Sequence, residues 1–177
     1  MKSTPLYIIR LAAILLIITA AVAAALAGVD AITAPKIAAI TEQKTQAAVT
    51  AVLPGGGELL DSFSDDTGLV QAVYASDEGY AIEVAPSGFN GQISMMVGVS
   101  KDGSVLGIDI ISHAETPSLG AVAAAKSSAG QKFRDSFIGL SGELSVSDID
   151  AITSATITSQ AVTTGVNAAL ACAANLG

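Results

Sequence analysis

The sequence predicts an α+β domain carried behind a membrane-spanning helix. Three observations lead there. An uninterrupted apolar run fills the N-terminus, four short β-rich segments follow one another in the middle, and helical patterning returns only after them. Strands in a run followed by helices are the mark of an α+β arrangement rather than an alternating α/β one. The expected architecture is an N-terminal transmembrane helix followed by a twisted antiparallel sheet flanked by helices and covered on one face.

The chain has 177 residues, of which 51% are hydrophobic and only 14% charged. The apolar excess lies at the start. No charged residue occurs from Leu11 to Val29, and counting Arg10 as reaching back toward the interface extends the run to Leu6–Val29, 24 residues. About 20 apolar residues cross a bilayer. Lys2 and Arg10 precede the run and Asp30 follows it, so the positive-inside rule places the N-terminus in the cytoplasm and the remainder outside. A cleaved signal peptide is the competing reading, because Ala21-Val22-Ala23 and Ala25-Leu26-Ala27 both resemble small-x-small processing sites, but the run exceeds the usual signal-peptide core. The expected organisation is a cytoplasmic N-terminus and anchor at 1–29, a linker helix and loop at 30–57, and the folded domain at 58–177.

Thr33 can cap the linker helix, with Pro35 in its first turn. Ile37, Ile40, Ala47, Ala48 and Val52 recur at near-helical spacing, and Pro54-Gly55-Gly56-Gly57 ends it. A plain amphipathic packing helix fits this pattern equally well. The four strands are Leu69–Ala75, Tyr80–Val84, Ile93–Ser100 and Val105–Ser112, each short, β-branched or aromatic, and bounded by turn residues. Asp102-Gly103 is a strong hairpin signal. Gly98 and Gly107 inside strands suggest a bulge or a close backbone approach. Helical stretches follow at about 120–128 and 131–137. The last helix, Gln160 to Asn175, shows one apolar face through Val162, Val166, Ala169, Leu170 and Ala173, with Thr158 or Ser159 as its natural N-cap.

Composition excludes several function classes. From residue 30 onward six bases stand against 16 acids, leaving −10. No basic patch exists to neutralise phosphates, so nucleic-acid binding is not expected. There is one histidine, His113, and one cysteine, Cys172. A zinc site needs three or four ligands and a structural disulfide needs two cysteines, so neither is expected. The cysteine reads as a small buried apolar residue. Among enzyme motifs, GxGxxG, the Walker loop and CxxC are all missing.

Two stretches carry chemistry. The first is Asp150-Ala151-Ile152-Thr153-Ser154-Ala155-Thr156-Ile157-Thr158-Ser159, with five hydroxyls in the seven residues from Thr153. It opens the last helix, whose first N–H groups and dipole favour negative charge. A phosphate would be stabilised there, although a Ser/Thr-rich cap and turn would account for the composition. The second is His113-Ala114-Glu115-Thr116-Pro117-Ser118-Leu119-Gly120, after the last strand. By residue type alone it is a proton relay, half a metal site or a solvated loop.

Both stretches resemble motifs of one family. Asp150-x-x-Thr153-x-Ala155-Thr156 is similar to the flavin-attachment motif of the Rnf complex G subunit and of its relative, the C subunit of the sodium-pumping NADH:quinone oxidoreductase. His113 to Gly120 is similar to the His-x-Glu-Thr-Pro-Gly-Leu-Gly element of the same family. Ser154 and Ser118 stand where the commonest family form has glycine. The resemblance implies that the domain at 58–177 binds FMN and that Thr156 carries it through a phosphoester bond. Asp150, Thr153, Ser154 and Ala155 would complete the attachment motif, with Asp150 serving recognition by an exported flavin transferase. The His113 and Glu115 loop would lie against the flavin, with Thr116, Leu119 and Gly120 nearest.

The implied function is a single-pass electron carrier on the extracytoplasmic side of the cell membrane. It would be one relay in an ion-translocating ferredoxin:NAD+ oxidoreductase with other membrane subunits, and not a catalyst by itself. An FMN-binding subunit of another extracytoplasmic reductase, or a non-redox exported binding or assembly module, are the alternatives.

Overall fold

The computed structural model describes residues 4–176, and its contacts divide the chain into two compact units, Met1–Gln43 and Lys44–Gly177. The first unit holds most of helix α1, Thr4–Val52. Its apolar side chains are exposed along the described length, Leu15, Leu16, Ile17 and Leu26 among them. Among the described residues this is the one helix long and apolar enough to cross a membrane.

The expected break at Thr33 does not occur. Pro35 lies inside the helix, and the Thr33 hydroxyl donates to the Val29 carbonyl at 2.9 Å. The hydroxyl is thus spent on the turn before it, as a helix-interior threonine does, and alanine and isoleucine on both sides keep the helix going at little cost.

In the second unit a five-stranded antiparallel sheet runs in the order β1-β2-β3-β4-β5. Its strands are β1 (Glu58–Leu59), β2 (Val70–Ala75), β3 (Gly79–Val84), β4 (Ser94–Ser100) and β5 (Val105–Ser112). The four expected strands are present within a residue of their expected bounds. β1, which pairs Glu58 with Ala75 and Leu59 with Tyr74, is the addition; two exposed residues carry no alternation to read.

The sheet is covered on both faces, where the sequence suggested one. Along β4, Met95, Val97 and Val99 join a core with Val162, Val166, Ala169 and Leu170 of helix α3 (Thr156–Ala174) and with Phe133 and Phe137. Phe133 lies in helix α2 (Ser128–Asp135), and the two rings pack edge to face with centroids 5.4 Å apart. Met96 points the other way, into a second core with Ala48, Val49, Val52, Leu53, Tyr74 and Ala81. The last turns of α1 therefore belong to this unit's core. Gly98, paired with Gly107, makes room for them: a Cβ at Gly98 would stand 2.6 Å from the Val52 carbonyl oxygen. The ladder also shifts register between Gly98 and Val99, so this glycine marks both a bulge and a close approach.

The helices after the sheet differ in kind from the expected pair. Gly120–Ala124 is a short 3₁₀ turn, and α2 is capped by Ser127, whose hydroxyl accepts from the Gly130 N–H at 3.2 Å. Cys172 is buried in the α3 core, and that burial, with Asp65 nearby, raises its thiol above the ordinary range.

Candidate functional site

Three segments of the second unit meet beside the N-terminus of α3. One is the turn Pro86 to Ile93, closed by the Ile93 N–H donating to the Pro86 carbonyl at 2.9 Å and the Gly88 N–H to the Gly91 carbonyl at 2.7 Å. Another is the loop after β5, His113 to Gly120. The third is the hydroxyl-rich stretch that opens α3. Between them lies a cleft of about 330 Å³, lined by Phe89, Glu115, Thr116, Leu119, Gly120, Ser154, Ala155, Thr156, Ile157 and Thr158.

Its rim is apolar and open. Phe89, Leu119 and Ile157 are 66%, 44% and 50% exposed, although each is a large hydrophobic side chain. Its floor is the start of α3, and here the expected cap is corrected. The helix begins at Thr156, the N-cap is Ala155, and no side chain among the described residues caps it. Thr158 and Ser159, read as candidate caps, lie inside the helix and are buried. Their hydroxyls serve tertiary partners: Thr158 Oγ1 donates to Glu115 Oε2, and Ser159 Oγ accepts from the Ile152 N–H at 3.1 Å. The first N–H groups of α3 are thereby left for something other than the protein's own side chains.

Of the five hydroxyls between residues 153 and 159, Thr153, Ser154 and Thr156 are exposed. Ser154 and Thr156 line the cleft and Thr153 does not. Ser154 has φ 66° and Ser118 φ 65°, the left-handed region. The residues of the resemblance thus divide. Glu115, Thr116, Leu119, Gly120, Ser154, Ala155 and Thr156 share the cleft wall. Asp150 pairs at the surface with Lys132 at 3.1 Å. The His113 side chain is exposed, its Nδ1 accepting from the Glu115 N–H at 3.3 Å.

Phe89, Ile157 and Thr158 are lining residues that the sequence did not single out for the site. Ile157 and Thr158 belong to the hydroxyl stretch itself, so their place in the chain was signal enough. Phe89, between Gly88 and Asn90, had only the signal of a large aromatic in a turn.

The family model described as an FMN-binding domain matches residues 88–171. This span contains all ten lining residues. Over 96% of its length the chain is 31% identical to the G subunit of the Na(+)-translocating ferredoxin:NAD(+) oxidoreductase complex of Acetobacterium woodii, of which it covers 93%. The chain belongs to the family of Rnf complex G subunits. Within the family it is also 39% identical, over 55% of its length and 57% of the relative's, to the G subunit of the proton-translocating ferredoxin:NAD(+) oxidoreductase complex of Clostridium ljungdahlii. A 41-residue stretch is 51% identical to the G subunit of the ion-translocating oxidoreductase complex of Vibrio cholerae.

FMN is the cofactor of this domain. The cleft suits both ends of that molecule. The N-terminus of α3, lacking a side-chain cap, offers unpaired N–H groups and a positive dipole end to a phosphate. Phe89, Leu119 and Ile157 offer apolar surface to a flat ring.

Proposed function

We propose that this chain is the membrane-anchored flavin subunit of an Rnf-type complex, with FMN held covalently on Thr156. The observation that carries the attachment reading is the position of Thr156. It is the first residue of α3, exposed, on the cleft wall, and next to N–H groups that no side chain caps. A phosphoester there would keep the phosphate within reach of those N–H groups. Thr158 and Ser159 are buried and hydrogen-bonded, which disfavours them as acceptors. Ser154 is the rival by exposure, but the motif places threonine, not this residue, at the acceptor.

Bound FMN would supply reversible electron transfer. The chain's own residues bind and orient it: the start of α3 for the phosphate, and Phe89, Leu119 and Ile157 for the apolar ring. Within the lining only Glu115 is charged, and both its oxygens already accept hydrogen bonds, from the Asn90 N–H and the Thr158 hydroxyl, so no free base stands beside Thr156 to activate its hydroxyl. We assign attachment to a separate exported flavin transferase, to which exposed Thr156 is accessible: the threonine oxygen would take the FMN phosphoryl group from FAD, the FAD pyrophosphate bond would break, and AMP would leave with the hydroxyl proton passing to solvent. Asp150 and Thr153, exposed and outside the cleft, serve recognition by that enzyme.

The apolar helix within residues 1–29 anchors the chain, the segment 30–57 links, and 58–177 binds FMN. The positive-inside rule puts the flavin on the extracytoplasmic side. The names of the relatives in Acetobacterium woodii and Clostridium ljungdahlii support a relay position in a ferredoxin:NAD+ oxidoreductase with other membrane subunits.

The test is co-expression with a flavin transferase, followed by denaturing electrophoresis and in-gel flavin fluorescence. The wild-type chain gives a fluorescent band, Thr156→Ala a dark one, and Ser154→Gly a band as bright as wild type. A dark wild-type band sinks covalent attachment. A bright Thr156→Ala band paired with a dark Ser154→Gly band moves the bond to Ser154.

A further inference from the structure

Three segments distant in sequence converge on one carboxylate. Glu115 is 6% exposed. Its Oε1 accepts from the Asn90 N–H at 3.0 Å, and its Oε2 accepts from the Thr158 hydroxyl. Asn90 makes a second tie to the same loop, its Nδ2 donating to the Ala114 carbonyl at 2.9 Å. The slot is cut to the carboxylate by two glycines. A Cβ at Gly88 would stand 2.5 Å from Oε1, and one at Gly120 would collide with both Oε2 and the Thr158 hydroxyl.

A buried carboxylate is costly unless hydrogen bonds or a cation compensate it. Among the described residues the ion pair is Lys132 with Asp150, and neither residue lines this slot. The compensation at Glu115 is therefore the two neutral donors, one from the Phe89 turn and one from the first turn of α3. Both oxygens are occupied, so the carboxylate serves as a tie between walls rather than as a ligand.

We propose that Glu115 is a positioning residue: it holds the Phe89 turn against the start of α3 and so fixes the width of the cleft. This rests on the reading of the cleft as the FMN site. The tie acts before any cofactor arrives and requires an acceptor of the size of glutamate more than it requires the charge. Glutamine fulfils the requirement, with Oε1 accepting from the Asn90 N–H and Nε2 donating to the Thr158 hydroxyl oxygen.

The experiment uses the full chain in detergent, made without a flavin transferase. Amide hydrogen exchange across residues 88–92 is measured relative to β4, which reports the sheet. Binding of added FMN is followed by quenching of its fluorescence. Glu115→Ala raises relative exchange at 88–92 by about tenfold and weakens FMN binding by about tenfold, at the upper end of what one ordinary hydrogen bond contributes. Glu115→Gln stays within about threefold of wild type on both readouts. Thr158→Val, close in shape to threonine, weakens FMN binding while β4 exchange is unchanged.

Three results overturn the proposal. Exchange at 88–92 could stay with β4 in Glu115→Ala, those residues could open without loss of FMN affinity, or Glu115→Gln could behave like Glu115→Ala. A wild-type chain that quenches no FMN sinks the cleft reading instead, and the exchange comparison still decides the tie.

Discussion

Ser118 and Ser154 occupy left-handed backbone, at φ 65° and 66°. An L-residue with a Cβ pays about 1–2 kcal/mol for that conformation, and glycine does not. The resemblance has glycine at both places, the residue that takes this backbone without a Cβ penalty. Ser118→Gly and Ser154→Gly are each expected to raise stability by about 0.5 kcal/mol, the relief being partly offset by glycine's freedom in the unfolded chain. Denaturant midpoints at unchanged slope check this, and a double variant should gain the sum. Both departures from the motif are visible in the sequence; whether the turns change with them is not. Glu115 shows the same limit. Its residue type is consistent with a solvated loop, and only the fold brings Asn90 and Thr158, 25 and 43 positions away, to its two oxygens.

The strands were legible because alternation and turn residues are local signals. The starts of helices were not. Thr158 and Ser159 satisfy every preference for an N-cap, yet Glu115 and the Ile152 N–H claim their hydroxyls, and the N-cap is Ala155, three residues before Thr158. Thr33 and Pro35 likewise look like a helix start and sit within one. At Gly98 the sequence suggested crowding, and the structure supplies the neighbour. Gly98→Ala is expected to destabilise by about 1–3 kcal/mol, because the new methyl meets the Val52 backbone at 2.6 Å. Gly107→Ala, whose Cβ would come no nearer than 3.9 Å to Val52, should be close to neutral in packing. Urea midpoints of the two variants separate a close approach from a general intolerance of side chains in these strands.

For the molecule as a whole, one exposed apolar helix and one acidic folded unit imply different solvents. Leu15, Leu16, Ile17 and Leu26 are between 64% and 69% exposed, and burying each in hydrocarbon would gain about 1.5–3 kcal/mol. The chain is expected to stay with the membrane fraction through alkaline carbonate washing and to leave it only with detergent. Release by carbonate would show that the helix does not span.

The packing of Ala48, Val49, Val52 and Leu53 under β3 and β4 bears on where this chain can be shortened. Processing after Ala23 or Ala27 would free the folded unit with those four residues still in place. A soluble fragment begun at residue 58 would strip one side of the sheet, and the loss of three large buried side chains, at about 1.5–3 kcal/mol each, is comparable with the whole stability of a typical domain. The sensible first residue for such a fragment is Lys44 or earlier, inside what reads in sequence as a spacer.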